Sequence, residues 1–142
     1  MSITIKIEGL DELRTALNAM DFDGAVNQAI AETALEMESR VVRAIHRSPA
    51  SGRVYEKYNP RRTHRASAPG QPPKSDTGAL AGSVYSDIAP GMATVGSRLA
   101  YASYLEYGTQ NMAPRPIWVP EAERARDALR DRITENLRDI LR

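Results

Sequence analysis

The chain has no cysteine, one tryptophan (Trp118), one phenylalanine (Phe22) and two histidines (His46 and His64) in 142 residues. Without cysteine there is no disulfide framework, no thiol nucleophile and no zinc–thiolate site. That fits a reducing compartment. With so few large aromatics the core must be mostly aliphatic. Two histidines alone make a poor metal site, and no acidic residue stands near either in sequence. No run approaches the roughly 18 apolar residues of a membrane span. The opening "MSITIKIEGLDEL" lacks the basic start and apolar run of a signal peptide. The expectation is a protein made in the cytoplasm, with no membrane contact, that leaves only within a larger particle. Net charge is +1, so bulk charge names no partner.

Reactive motifs are equally scarce. There is no phosphate-binding glycine loop with its lysine, no G-x-S-x-G and no H-E-x-x-H. "SDTG" contains the Asp-Thr-Gly triplet of aspartic proteases, but those enzymes need two such aspartates in one site. This chain offers only Asp76, which reads more naturally as a turn cap. Glu106, a lone carboxylate in "YLEYGT", reads as a hydrogen-bonding anchor for the turn at Gly108-Thr109. These readings predict no enzymatic activity, no metal and no cofactor.

What is present is a short series of elements. Residues 2–8, "SITIKIE", alternate, with Ile3, Ile5 and Ile7 on one face, as in a half-buried strand. Leu10, Leu13, Leu17 and Met20 then fall at helical spacing. A longer helix follows over 24–47, with Val26, Ile30, Thr33, Met37, Val41 and Ile45 in one stripe. Acid comes early in it and base late, as the helix dipole prefers. Ser48-Pro49 ends it.

From 48 to 79 the chain is rich in Ser, Pro, Gly and Arg, shows no usable period, and reads as one long loop. Within it, Ala66 to Lys74 reads as an extended arm whose partner lies outside the subunit. Ser75 to Leu80 reads as the turn re-entering a sheet, with Gly78 free to take an unusual backbone angle. Order resumes with a hairpin over 80–100, turning at Pro90-Gly91. "ASYLEYGT" reads as a strand end or one helical turn, and "GTQNMAPRP" as a second loop. A last helix spans 117–142, with Ala122, Ala125, Leu129, Ile133, Leu137 and Ile140 in one stripe. The expected surface beneath it is the 2–8 strand and the 80–100 hairpin.

Strands and helices are segregated, so the class is α+β with a mainly antiparallel sheet. One domain over 1–142 is expected, with 48–79 inserted into it. The insert is locally basic. Arg53, Lys57, Arg61, Arg62, Arg65 and Lys74 face a single acid, Glu56, with Tyr55 and Tyr58 between them. Arginines and tyrosines in this mixture suit a protein partner, a plain solvated loop, and phosphate and base contacts. A nucleic-acid-binding module using residues 53–74 is therefore the alternative reading.

Three stretches carry a resemblance: "IKIEGLDELRTAL" (5–17), "HRASAPGQPPKSDTGALAGSV" (64–84) and "AYASYLEYGTQNMAPRPIWVPEAE" (100–123). In this order they resemble the bacteriophage tail-component family named after the tenth gene product of an HK-type lambdoid phage. The matching positions are Asp76, Gly78, Leu80, Tyr101, Glu106, Gly108, Thr109, Arg115 and Pro116. One departure is that Ile117 precedes the aromatic Trp118, where the family has an aromatic directly after Arg-Pro. The resemblance implies a structural virion protein of head–tail joining or tail completion, in the tail or neck. It implies a homo-oligomeric, sixfold ring that meets connector and tail-tube proteins, with DNA passing through its lumen.

Overall fold

The computed structural model describes residues 10–142. The strand expected over 2–8 lies outside the described residues. Helix α1 covers Leu10–Asn18 and helix α2 covers Phe22–Arg47. The Asp21 side chain starts α2 by accepting from the Gly24 backbone N–H at 2.8 Å, satisfying one of the free donors of the first turn.

After α2 come two strands, β1 (Val54–Tyr58) and β2 (Arg61–Arg65), a one-turn helix α3 (Ala79–Gly82), and strands β3 (Val84–Ala89) and β4 (Met92–Ser97). Helix α4 (Ala102–Tyr107) and the long helix α5 (Trp118–Ile140) complete the chain. The class is α+β, as expected, but among the described residues the strands make two separate antiparallel hairpins, β1–β2 and β3–β4.

Helix α2 organises the rest. Its Val41 and Ile45 are fully buried among Leu80 and Ala81 of α3, Val84 of β3, Ala102 of α4 and Ile117. Burying each large aliphatic side chain contributes about 1.5–3 kcal/mol. Hairpin β3–β4 lies along α2, and Glu38 accepts a hydrogen bond from the Ser86 hydroxyl.

Helix α5 takes α2 as its principal surface among the described residues, where the 80–100 hairpin and the 2–8 strand, the latter outside the described residues, are expected. The two helices run antiparallel. Asn136 donates to the Ala25 carbonyl at 3.0 Å, and Arg132 donates to Thr33 Oγ1 at 3.0 Å and to Glu36. The Arg132 hydrogen bond holds the Glu36 carboxyl below the usual carboxylate range. The physical reason is the width of the α2 apolar face. Its buried residues Ala29, Thr33 and Ala34 let another helix approach closely, while Val41 and Ile45 serve the core at its C-terminal end.

The expected 48–79 loop contains the β1–β2 hairpin. Val54, Tyr55 and Tyr58 favour extended structure, and the strands turn at Asn59-Pro60, whose peptide bond is cis. The ladder runs past the strand ends, with Gly52 N–H donating to Ala66 O at 2.8 Å and Ala66 N–H to Arg53 O at 3.0 Å. The hairpin escaped the periodicity test because β1 is exposed along its whole length. With neither face buried, no alternation of apolar and polar residues is required.

The expected free arm over 66–74 is instead held by the chain itself. Ser48 donates to the Pro72 carbonyl, Lys74 Nζ to His46 O at 3.3 Å, and Gly70 N–H to Pro114 O at 2.9 Å. Pro73 and Ser67 are buried. Gly78 does adopt a left-handed conformation, φ +83°, but Leu80 enters the one-turn helix α3 and not a strand. None of the described helices is long and apolar enough to cross a membrane.

Candidate interaction surface

Alternation along β1 and β2 divides the basic residues into two groups. The register sets Tyr55 opposite His64 and Lys57 opposite Arg62. These four share the inner face, because every second residue of a strand points the same way. Lys57 opposite Arg62 is a like-charge pair, which alone would destabilise the hairpin.

Asp76 resolves it. Arg62 grips the Asp76 carboxylate with both terminal nitrogens, the Nη2–Oδ2 distance being 3.1 Å. Lys57 Nζ lies 3.4 Å from Oδ2, and His64 Nδ1 lies 3.3 Å from Oδ1. The Arg62 hydrogen bonds lead in holding the Asp76 carboxyl at about 2, with the His64 charge adding to the effect. The expected turn cap is thus the counter-ion of the hairpin. The cap at this turn comes from Thr77 Oγ1, which accepts from Ala79 N–H at 3.3 Å.

A cavity of about 440 Å³ lies beneath the hairpin. Tyr55, Pro73, Leu80, Leu105 and Arg115 are among its walls. No group of three or more His, Cys, Asp or Glu side chains suited to a metal ion occurs among the described residues.

The outer face carries Val54, Glu56 and Tyr58 opposite Arg65, Thr63 and Arg61. All six are exposed. Tyr58 is 75% exposed and donates to Glu56 Oε2 at 2.9 Å. Arg61 has no ion-pair partner among the described residues, and Arg65 Nε donates only to the Gly52 carbonyl, at 3.1 Å. Arg53 lies beside the hairpin with its guanidinium 5.5 Å from the Tyr55 ring centroid. Of the eight basic and aromatic residues singled out, Tyr58, Arg61 and Arg65 therefore face outward, while Arg53, just before β1, is exposed and lies over Tyr55. Lys57, Arg62 and Lys74 are engaged within the chain, and Tyr55 faces the cavity.

A second exposed group was not singled out from the sequence as a surface. Tyr101, which caps α4, and Tyr104 and Tyr107 within it recur every third residue, which sets them along one side of the helix. They are 44%, 58% and 73% exposed. The i, i+3, i+6 spacing was visible, but it had no meaning until the segment was known to be a helix. Tyr101 and Tyr55 line the same cavity, so the α4 face adjoins the hairpin.

The remaining motif residues form one structural knot. Glu106 is 5% exposed and accepts three backbone N–H groups at the start of α5. Ile117 and Trp118 donate to its Oε2 at 2.7 and 2.9 Å, and Val119 donates to Oε1 at 2.8 Å. The expected anchor is real, but it serves the helix 11 residues on and not the adjacent turn. A carboxylate is favoured there by the free N–H groups and by the positive end of the helix dipole.

The Gly108-Thr109 turn is closed by backbone bonds, with Thr109 N–H donating to Met112 O at 2.8 Å. Arg115 is 9% exposed and donates through Nε and Nη2 to the Ser67 carbonyl, at 3.3 and 3.2 Å. It thereby ties the segment entering α5 through Pro116 to the chain that follows β2.

Comparison of the chain with protein-family models, curated proteins and solved structures finds no match.

Proposed function

We propose that this chain is a structural virion protein of a long-tailed phage or prophage, acting in head–tail joining or tail completion. It works as one subunit of a ring at the neck end of the tail, contacting the connector and tail-tube proteins around a lumen that admits DNA. It is assembled in the host cytoplasm and carries out no catalysis.

The observation that carries this reading is the pairing of a rigid knot with an unpartnered surface. Glu106, Gly108, Thr109, Arg115 and Pro116, which bear the tail-component resemblance, all belong to the α4–α5 junction and serve its backbone. Beside that junction stand exposed tyrosines and arginines, the residue types enriched at protein interfaces. Two-stranded sheets with open edges also suit a subunit whose edges are covered on assembly.

The deciding experiment mixes purified protein with tails lacking their completion ring and images them by negative stain. A ring of added density at the head-proximal tail end is expected. Protein that never associates with tails refutes the proposal. The alternative role for the basic residues is tested on the same sample. DNA binding that falls steeply with salt and is lost in Arg61→Ala/Arg62→Ala/Arg65→Ala would move the assignment to a nucleic-acid module.

A further inference from the structure

We propose that the outer face of hairpin β1–β2 docks onto a second copy of this chain, at the acidic end formed by α1 and the start of α2. This deepens the ring reading above and rests on it. The contact is head-to-tail, joining two different surfaces.

The first observation is a charge division along the chain. Residues 10–38 hold seven acidic residues and one basic, whereas residues 40–74 hold nine basic and one acidic. Helix α2 carries this division in space. Its 26 residues span about 39 Å at 1.5 Å per residue. Asp21 and Asp23 stand at its start, and the β1–β2 hairpin follows its end. A Debye length of about 8 Å at physiological salt keeps one end from neutralising the other within a subunit.

The second observation is that the two ends differ in what remains unpaired. Glu32 and Glu36 are engaged by Arg132 of α5. Glu12 and Asp23 are exposed and have no ion-pair partner among the described residues. On the hairpin, Asp76 consumes Lys57, Arg62 and His64 and leaves Arg61 and Arg65 facing outward. The chain thus neutralises its inner charges and leaves one acidic and one basic pole open.

The third observation concerns the hairpin itself. A lone two-stranded hairpin is marginal in water, and this one leaves Val54 at 52% and Tyr58 at 75% exposed beside the arginines. A neighbour's acidic end would pair the arginines and cover the apolar atoms together. A contact joining unlike surfaces repeats from subunit to subunit, and it closes into a ring when the rotation between neighbours is a whole fraction of a turn.

The test is charge reversal, read by sedimentation velocity on the whole chain. The unmodified protein should form species larger than dimers, and these should dissociate as salt is raised. Arg61→Glu/Arg65→Glu and Glu12→Lys/Asp23→Lys should each weaken self-association by about tenfold or more. An equimolar mixture of the two variants should recover it, because each supplies the pole the other has inverted. Circular dichroism and thermal unfolding on each variant confirm that the poles were changed on a folded chain.

Association unaffected by either reversal, failure of the mixture to recover, or assembly that stops at dimers overturns the inference. So does an unmodified chain that stays monomeric at every concentration. In each of those cases binding to tails still decides the ring reading separately.

Discussion

Removing the Glu106 carboxylate should be among the most destabilising single changes in this protein. Three backbone N–H groups at the start of α5 converge on it, at 2.7, 2.9 and 2.8 Å. The donors are not equally dependent on it. Ile117 is 3% exposed, so water cannot replace the lost acceptor there, whereas Val119 is 46% exposed and its N–H can be hydrated.

Leaving the Ile117 N–H unsatisfied costs about 1–3 kcal/mol. Loss of a carboxylate from a helix start adds about 0.3–1 kcal/mol, or up to about 2 where the site is partly buried. The void left by the missing side-chain atoms adds to this. Glu106→Ala should therefore cost about 3–5 kcal/mol, against a total stability of about 5–15 kcal/mol for a domain. Glu106→Gln keeps one oxygen acceptor but turns an amide group toward the other donors, so about 1–2 kcal/mol is expected.

Urea unfolding checks this, with Trp118 as the reporter because it is the sole tryptophan and sits in the first turn of α5. An Ala variant within about 1 kcal/mol of the unmodified chain would refute the claim that Glu106 anchors the helix. So would a Gln variant as damaging as the Ala variant, since the carboxamide keeps the shape and half the acceptors.

Asp76 makes the hairpin acid-sensitive. Its folded-state value of about 2 lies below the ordinary aspartate value of about 3.9, so its contribution is complete above about pH 4 and is lost as pH falls through about 2. Solvent screening keeps that contribution below about 1 kcal/mol. Stability followed over that interval should fall more steeply for the unmodified chain than for Asp76→Asn, and equal slopes would contradict the counter-ion role. Gly108 has φ +77° and ψ 177°, a combination almost confined to glycine, and an added Cβ would stand 2.7 Å from the Met112 carbonyl oxygen. Gly108→Ala should cost about 2–4 kcal/mol in denaturant unfolding, and a neutral result would show that the turn relaxes freely.

The sequence by itself determined the α+β class and both long helices, because apolar residues recur at helical spacing along each, and the β3–β4 hairpin, because a Pro-Gly pair marks its turn. Val41 and Ile45 on α2 were legible through that spacing, and the turn through the chemistry of Pro90-Gly91. It also marked Gly78 as a backbone special and Glu106 as an anchor.

Tertiary structure alone decided what those groups serve. Asp76 lies 14 residues from Arg62, and Glu106 lies 11 from Ile117, so neither partner could be read from local spacing. The β1–β2 hairpin left no periodic trace because solvent covers its outer face and charges line its inner one. The antiparallel seating of α5 on α2 depended on long-range matches such as Arg132 with Thr33 and Glu36. Periodicity records which face of an element is buried, but not what it is buried against, and that choice is made only when all the faces compete for one core.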